Sequence, residues 1–274
     1  MNKHLVSIKN DGFGVALRNF LSSKLVKMGW VEDAERMRQR LSREFDEMFD
    51  STIAYGALKG FQFSPNTWWS KHDRASMIFG LYEKEIVDML QGLSKTKNVF
   101  IDVGAADGYY GVATVSQKIF EKSYCFEIEA QGRTVIKENA NLNGVSDKVT
   151  IFEEAKITSL AKIPAEDIKN SVALIDIEGF EFDFLDDSVL EIFKNTVCII
   201  ELHDWFYEDG DQRLADLKRR TTKYFDVSEF KSTSRDTSHI VELERYSDNE
   251  RWLVCGEGRP RSMVWLRLDP KGRP

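Results

Sequence analysis

Short apolar runs recur along the middle of the chain. VFIDV at 99–103, YCFEI at 124–128, KVTIF at 148–152, SVALIDI at 171–177 and TVCIIEL at 196–202 are rich in Val, Ile and Phe. Between them, apolar positions return at helical spacing: through Phe120, on to Asn143, and over 182–194 and 211–223. Runs without polar alternation read as strands buried on both faces. Strands alternating with helices predict a parallel sheet covered on each side. YFDVSEF at 224–230 and SMVWLRL at 262–268 add two strands, with a short helix starting near Ser247 between them. The expected class is α/β, with a doubly wound, Rossmann-like sheet of seven strands.

The first part of the chain follows another pattern. Phe13, Leu17, Phe20 or Leu21, Leu25 and Met28 recur at helical spacing among Arg18, Lys24 and Lys27. This predicts a helix that packs on the main domain or on a second subunit. Residues 32–49 are helix-favouring. Gly56, Gly60, Pro65 and Thr67-Trp68-Trp69 mark an irregular segment. Residues 73–93 read as one helix, with Asp73 as N-cap and Gly92 as stop. The organisation expected is an N-terminal helical extension over 1–80 and an α/β domain over 81–274. A homo-oligomer would form through the N-terminal helices. Pro270 to Pro274 read as a frayed tail.

Composition narrows the picture further. At 274 residues, 42% hydrophobic and 30% charged, the chain can bury a core without disulfides. Cys125, Cys198 and Cys255 stand apart in apolar surroundings, without CxxC spacing, and read as buried, reduced thiols of a cytoplasmic protein. No run of about 18 apolar residues exists, so no transmembrane segment is expected. A net charge of −7 gives no general attraction to nucleic acid.

The chemistry gathers at the ends of the predicted strands. Asp102-Val103-Gly104-Ala105-Ala106-Asp107-Gly108 leaves the first strand and enters a helix. Ligands of open α/β sheets bind at this edge. Gly104 and Gly108 allow a tight turn and a close backbone approach. Gly104 has no glycine two positions on, and Asp107 places negative charge where a pyrophosphate would sit. The loop suits the cationic S-adenosylmethionine better than NAD, with Asp102 accepting from its amino group. Glu127, 23 positions after Gly104 (127 − 104) and beside Ile128, is placed for a ribose hydroxyl pair, with Glu129 as the neighbouring alternative. Glu154 and Ala155, after the third strand, are placed for an adenine edge.

A second acidic group follows the fourth and fifth strands: Asp176, Glu178, Glu181, Glu201 and His203. Residues two apart share a face of a strand. So many carboxylates on one rim need a divalent metal, a cationic cofactor or a proton between them. With Asp176, Glu178, Glu201 and His203 as ligands, Mg²⁺ or Mn²⁺ is the natural ion.

VFIDVGAADGYYG, CFEIEAQGRTVIKENANLNGV, ALIDIEGFE and IIELH together resemble the FkbM-type family of class I, S-adenosylmethionine-dependent methyltransferases, over about residues 80–205. The resemblance implies O-methylation of a sugar or other small-molecule hydroxyl. It assigns Asp102, Gly104 and Gly108 to the cofactor loop and Glu127 to the ribose. Asp176, Glu178 and Glu181 match its acidic motif, Glu201 and His203 its Glu-x-His. Tyr82-Glu83 resembles a Tyr-Glu pair at the cofactor rim. Ala106-Asp107 departs from the family, which usually has an asparagine and an apolar residue there. His203 is the expected general base, with Asp176 and Glu178 next. Trp68 and Trp69 offer aromatic faces to a saccharide acceptor. Two other readings carry distinct expectations: a catalytically silent interaction domain, and a nicotinamide-dependent oxidoreductase, against which the loop argues. No NPPY-like tetrapeptide follows the fourth strand, so nucleic-acid methylation is not expected.

Overall fold

The structure, a computed structural model, describes Lys24, residues 32–259 and residues 261–272. Apart from Lys24, the helix expected at 13–29 lies outside the described residues, as does any oligomer contact through it.

All seven expected strands are present: β1 (Val99–Val103), β2 (Lys122–Phe126), β3 (Val149–Phe152), β4 (Ser171–Ile175), β5 (Val197–Glu201), β6 (Phe225–Lys231) and β7 (Val264–Pro270). They form one sheet in the order β3-β2-β1-β4-β5-β7-β6. The first five strands are parallel, and β7 runs antiparallel to both β5 and β6. This is the doubly wound, Rossmann-like arrangement expected, except that the last two strands form a hydrogen-bonded antiparallel pair. Pro270, expected in a frayed tail, pairs with Phe225 at the end of β7.

The described helices are α1 (Ala34–Met48), α2 (Arg74–Ile78), α3 (Lys84–Leu93), α4 (Tyr109–Ser116), α5 (Ala130–Leu142), α6 (Ile157–Leu160), α7 (Ala165–Lys169), α8 (Glu181–Phe184), α9 (Asp187–Phe193), α10 (Gly210–Thr221) and α11 (Asp248–Cys255). Ser247 caps α11 in a capping box with Glu250, as its position suggested. The single helix expected over 73–93 is two. Gly80 and Glu83 take left-handed backbone angles and break it. Asp73 gives no capping bond and pairs with Arg38 at 2.9 Å instead. Gly92, expected as a stop, lies inside α3.

Side chains alternate across the sheet, and each face has its own core. Phe100, Cys125, Leu174 and Ile199 lie in one, covered by α3, α4 and α5. Val99, Ile101, Val103, Ile175 and Ile200 lie in the other. Ile53, Leu58, Phe61 and Phe63, from the expected extension, are packed into the first core. Cys125 and Cys198 are buried, Cys255 is half-buried, and none forms a disulfide. No helix among the described residues is long and apolar enough to cross a membrane.

The alternation places the polar residues that follow. Two positions beyond Cys125, Phe100, Leu174 and Ile199 come Glu127, Asp102, Asp176 and Glu201. Four adjacent strands, β2, β1, β4 and β5, therefore lead to an acid on the same face, about 4.8 Å from strand to strand. Helix α4 covers this face closely because Gly111 has no side chain. A Cβ there would overlap Cys125 Sγ and stand 2.9 Å from Asp102 Oδ2. Gly111→Ala is expected to destabilise the protein by about 1–3 kcal/mol through overpacking. Gly92→Ala, with nothing within 4 Å, is expected to stabilise it by about 0.5–1 kcal/mol. Urea denaturation of both variants checks the pair, and equal midpoints would contradict it.

Candidate active site

A cavity of about 820 Å³ opens at the carboxyl edge of the sheet, beside the ends of β1 and β4. Strand order reverses there, which separates the flanking loops. The β1–α4 loop forms one wall. Gly104 adopts φ +92°, and a Cβ would overlap the Asp176 carbonyl oxygen. Gly108 adopts φ +81°, and a Cβ would come within 2.8 Å of Val112. Both glycines serve the packing of the loop against β4 and α4; Gly104 also lines the cavity, whereas Gly108, expected at the cofactor, is not among its lining residues.

The residues expected to hold a cofactor come together around this cavity. Asp102, Gly104, Ala105, Glu127, Ile128, Glu154, Ala155 and Asp176 all line it. Asp102 is 2% exposed, and its Oδ2 has no hydrogen-bond partner. Burial, reinforced by Asp176 and Glu127, pushes its pKa up to about 7 against the opposing Gly111 amide. Glu127 is 7% exposed and sits just beyond β2. It accepts from the Ala106 and Glu129 amides, each at 2.8 Å, and burial raises its pKa. Gly132 makes room for it, since a Cβ there would lie 2.8 Å from Glu127 Cγ. Ile128 is two-thirds exposed at the rim.

Two expected cofactor residues are occupied otherwise. Glu83 lines the cavity, but its two oxygens are taken by the Tyr110 hydroxyl and Arg259. Asp107 accepts from the Thr67 hydroxyl and from the Trp68 and Trp69 amides, at 2.8 and 3.4 Å for the amides. Its carboxylate therefore anchors the aromatic segment. Trp68 and Trp69 both line the cavity.

The second acidic group divides in two. Asp176 and Glu201 are carboxyl neighbours, with Glu201 donating to Asp176. Burial, then the Asp176 charge, pushes Glu201 up to about 12, and burial raises Asp176 as well. The pair therefore retains one proton at neutral pH. Glu201 also meets Arg259 Nη1 at 2.5 Å. Asp176, Glu178 and His203, by contrast, offer ligand atoms within 4.8 Å of one another. Glu201, expected as a fourth metal ligand, is committed to Asp176 and Arg259.

His203 is 3% exposed and is not among the cavity-lining residues. Its Nε2 lies 3.4 Å from Glu178 and 3.7 Å from Glu201, and its Nδ1 3.5 Å from Glu181. Burial works against its charge. The Glu181 contact and the fields of Asp176 and Glu178 outweigh this and raise its pKa. Glu181 itself is fully buried and accepts from the Gly179 and His203 amides at 2.8 and 2.7 Å. Glu178 lines the cavity in a left-handed conformation, φ +53°, and burial, then Asp176, raises its pKa.

Arg259 was not singled out from the sequence. It contacts Glu83, Glu201 and Glu257, the last at 3.0 Å. The signal was topological. An antiparallel β7 starts at the carboxyl edge, which brings the charged Glu257-Gly258-Arg259 segment over the strand-end acids.

No protein-family model matches the chain, and no curated protein is similar to it. Among solved structures it is similar to a candidate tRNA (m1A22) methyltransferase from Streptococcus pneumoniae in complex with S-adenosyl-L-methionine. Identity is 13% and the TM-score 0.46, over 69% of this chain and 74% of that one. It is also similar to a candidate O-methyltransferase from Klebsiella pneumoniae, at 13% identity and TM-score 0.45, over 91% and 96%. A third is a precorrin 8w decarboxylase from Methanobacterium thermoautotrophicum, at 18% identity and TM-score 0.44, over 68% and 89%. These likenesses assign the chain to no family.

The raised pKa of Asp102 has a consequence for stability. Between the ordinary aspartate value of 3.8 and about 7, the folded protein keeps a proton that the unfolded chain releases. This group's contribution to stability is thus greatest below 3.8 and declines as pH rises through that window. Asp102→Asn removes the dependence. The melting temperature of the variant relative to wild type is expected to rise between pH 4 and pH 8, and a difference independent of pH would contradict the assignment.

Proposed function

We propose that the protein is an S-adenosylmethionine-dependent methyltransferase acting on a hydroxyl of a small molecule, with a saccharide as the favoured acceptor. The observation that carries this reading is the buried, unpartnered Oδ2 of Asp102 in a cavity walled by Glu127 and Asp176. A buried acid without a partner is costly, and a cationic ligand relieves it. The same wall disfavours a pyrophosphate or a nucleic-acid backbone. Arg74, the other arginine on the cavity, stacks on Phe63 and lies 3.5 Å from Asp46, with its Nε and Nη1 lacking hydrogen-bond partners.

Glu127 holds the ribose hydroxyls, with the unused lone pairs of its two oxygens. Ile128 and Ala155 flank the adenine, with Glu154 at its edge. Asp102 and Asp176 face the cationic end. Bound there, S-adenosylmethionine supplies an electrophilic methyl group. The chain's own residues orient the acceptor and handle its proton. His203, expected as the base, has its pKa raised by Glu181, Asp176 and Glu178 against the cost of burial, and it lies behind the wall. Glu178 takes the base role, being exposed to the cavity and made more basic by burial. His203 steadies the charge that Glu178 carries.

A second reading rests on the ligand geometry of Asp176, Glu178 and His203. Mg²⁺ or Mn²⁺ held by these three would lower the pKa of an acceptor hydroxyl. The donor set, two carboxylates and an imidazole, fits such an ion.

Calorimetric titration tests the proposal. Saturable binding of S-adenosylmethionine is expected, without binding of NAD, and with a loss of about tenfold or more in Asp102→Ala and Glu127→Ala. Folded protein that binds no S-adenosylmethionine, with or without Mg²⁺, would leave a silent interaction domain as the better reading. Glu178→Gln is expected to keep cofactor affinity and to lose about 10²-fold or more in methyl transfer to a panel of glycosides. Full turnover in this variant would remove Glu178 as the base. Inhibition by a chelator, reversed by Mn²⁺, would select the metal reading.

A further inference from the structure

The hydrogen bonds of Asp107 join two parts of the site that the sequence holds far apart. Thr67, Trp68 and Trp69 come from the segment before α2, and Asp107 from the β1–α4 loop. The Asp107 carboxylate takes the Thr67 hydroxyl and both Trp amides. A second bridge lies behind it. Asn139, 1% exposed on α5, donates to the Asp107 carbonyl at 2.8 Å and accepts from the Ser64 amide at 2.7 Å. One residue before Asp107, the Ala106 amide donates to Glu127. An unbroken chain of bonds thus runs from Glu127 through the loop to the aromatic segment.

The aromatic segment has an unusual exposure for its composition. Trp68 and Trp69 are 37% and 53% exposed and face the cavity. Large rings held open at a cavity mouth by backbone bonds form a surface for a ligand. An apolar residue at 107 would accept none of the three bonds.

We propose that Asp107 is a positioning residue that mounts the Trp68–Trp69 acceptor platform on the cofactor loop, so that the two subsites order together. This rests on the methyltransferase reading above. A cofactor that stiffens residues 104–108 slows the opening of residues 67–69 through the carboxylate. By thermodynamic reciprocity, an acceptor on the platform tightens the cofactor in turn. Asp107 does not touch the cofactor in this scheme, so its removal spares cofactor affinity.

Hydrogen exchange at the backbone amides of Trp68 and Trp69 in ¹⁵N-tryptophan-labelled full-length protein tests this, with S-adenosylhomocysteine as the probe ligand. In wild type, saturating probe is expected to slow both amides by about tenfold. In Asp107→Ala the two amides should exchange about tenfold faster without ligand and show no response to it. Calorimetric affinity for the probe should stay within about threefold of wild type. Asp107→Asn keeps an accepting oxygen and should restore slow exchange. A circular dichroism spectrum matching wild type establishes that the alanine variant is folded. If the two amides respond equally in wild type and Asp107→Ala, the platform is independent of the loop. If Asp107→Ala loses affinity tenfold, Asp107 is a cofactor ligand. Either result overturns the proposal. A wild-type protein that binds no probe overturns the methyltransferase reading instead, and the ligand-free exchange rates then decide whether Asp107 holds the platform at all.

Discussion

Four carboxylates on one face at the ends of four neighbouring parallel strands cannot all be charged and dry. Glu127, Asp102, Asp176 and Glu201 follow directly from side-chain alternation beyond the core residues Cys125, Phe100, Leu174 and Ile199. Once the sheet forms, their positions are set. The surrounding structure answers their repulsion in several ways. Glu127 is held by two backbone amides. Asp176 and Glu201 share a proton. Asp102 has its pKa raised to about 7 by burial, and its Oδ2 stands without a partner.

The remaining answer is Arg259. It reaches three carboxylates from a segment that precedes β7, and only the reversed direction of β7 puts it there. A parallel seventh strand would begin at the opposite edge of the sheet. The antiparallel pair therefore does more than close the sheet, because it delivers a counter-charge to the part of the cavity where acids are densest. The same balance acts on His203. A buried imidazole facing Glu178, Glu181 and Glu201 has its pKa raised by the Glu181 contact and by the Asp176 and Glu178 charges, against the cost of burial.

Much of this was legible in the chain. The parallel strands announced themselves as apolar runs, most clearly β1, β4 and β5, which are buried at every position, whereas the edge strand β6 alternates polar and apolar residues. The acids at the strand ends, and their grouping at one edge, followed from the same reading. The parts that were missed depend on distant partners. The break at Gly80–Glu83 has a helical composition and is imposed by the burial of Glu83 against Tyr110 and Arg259. Asp107 read as a loop acid near a cofactor, since its partners lie about forty residues earlier. Gly111 and Gly132 look like poor helix residues until the strand residues beneath them are known. Arg259 carried no local signal at all.

The insertion of β7 between β5 and β6 also bears on how the polypeptide is made. Emerging from the ribosome, β1 to β5 can assemble as soon as each is released, but β6 has no neighbour until β7 follows it. During that interval β5 presents a bare edge, and Glu201 stands without its arginine. The nascent sheet is thus both sticky along one border and electrostatically unbalanced at its rim. Release of about seventy further residues after β5 resolves both at once. Synthesis of this protein is therefore most exposed to misassembly late, when most of the fold already exists.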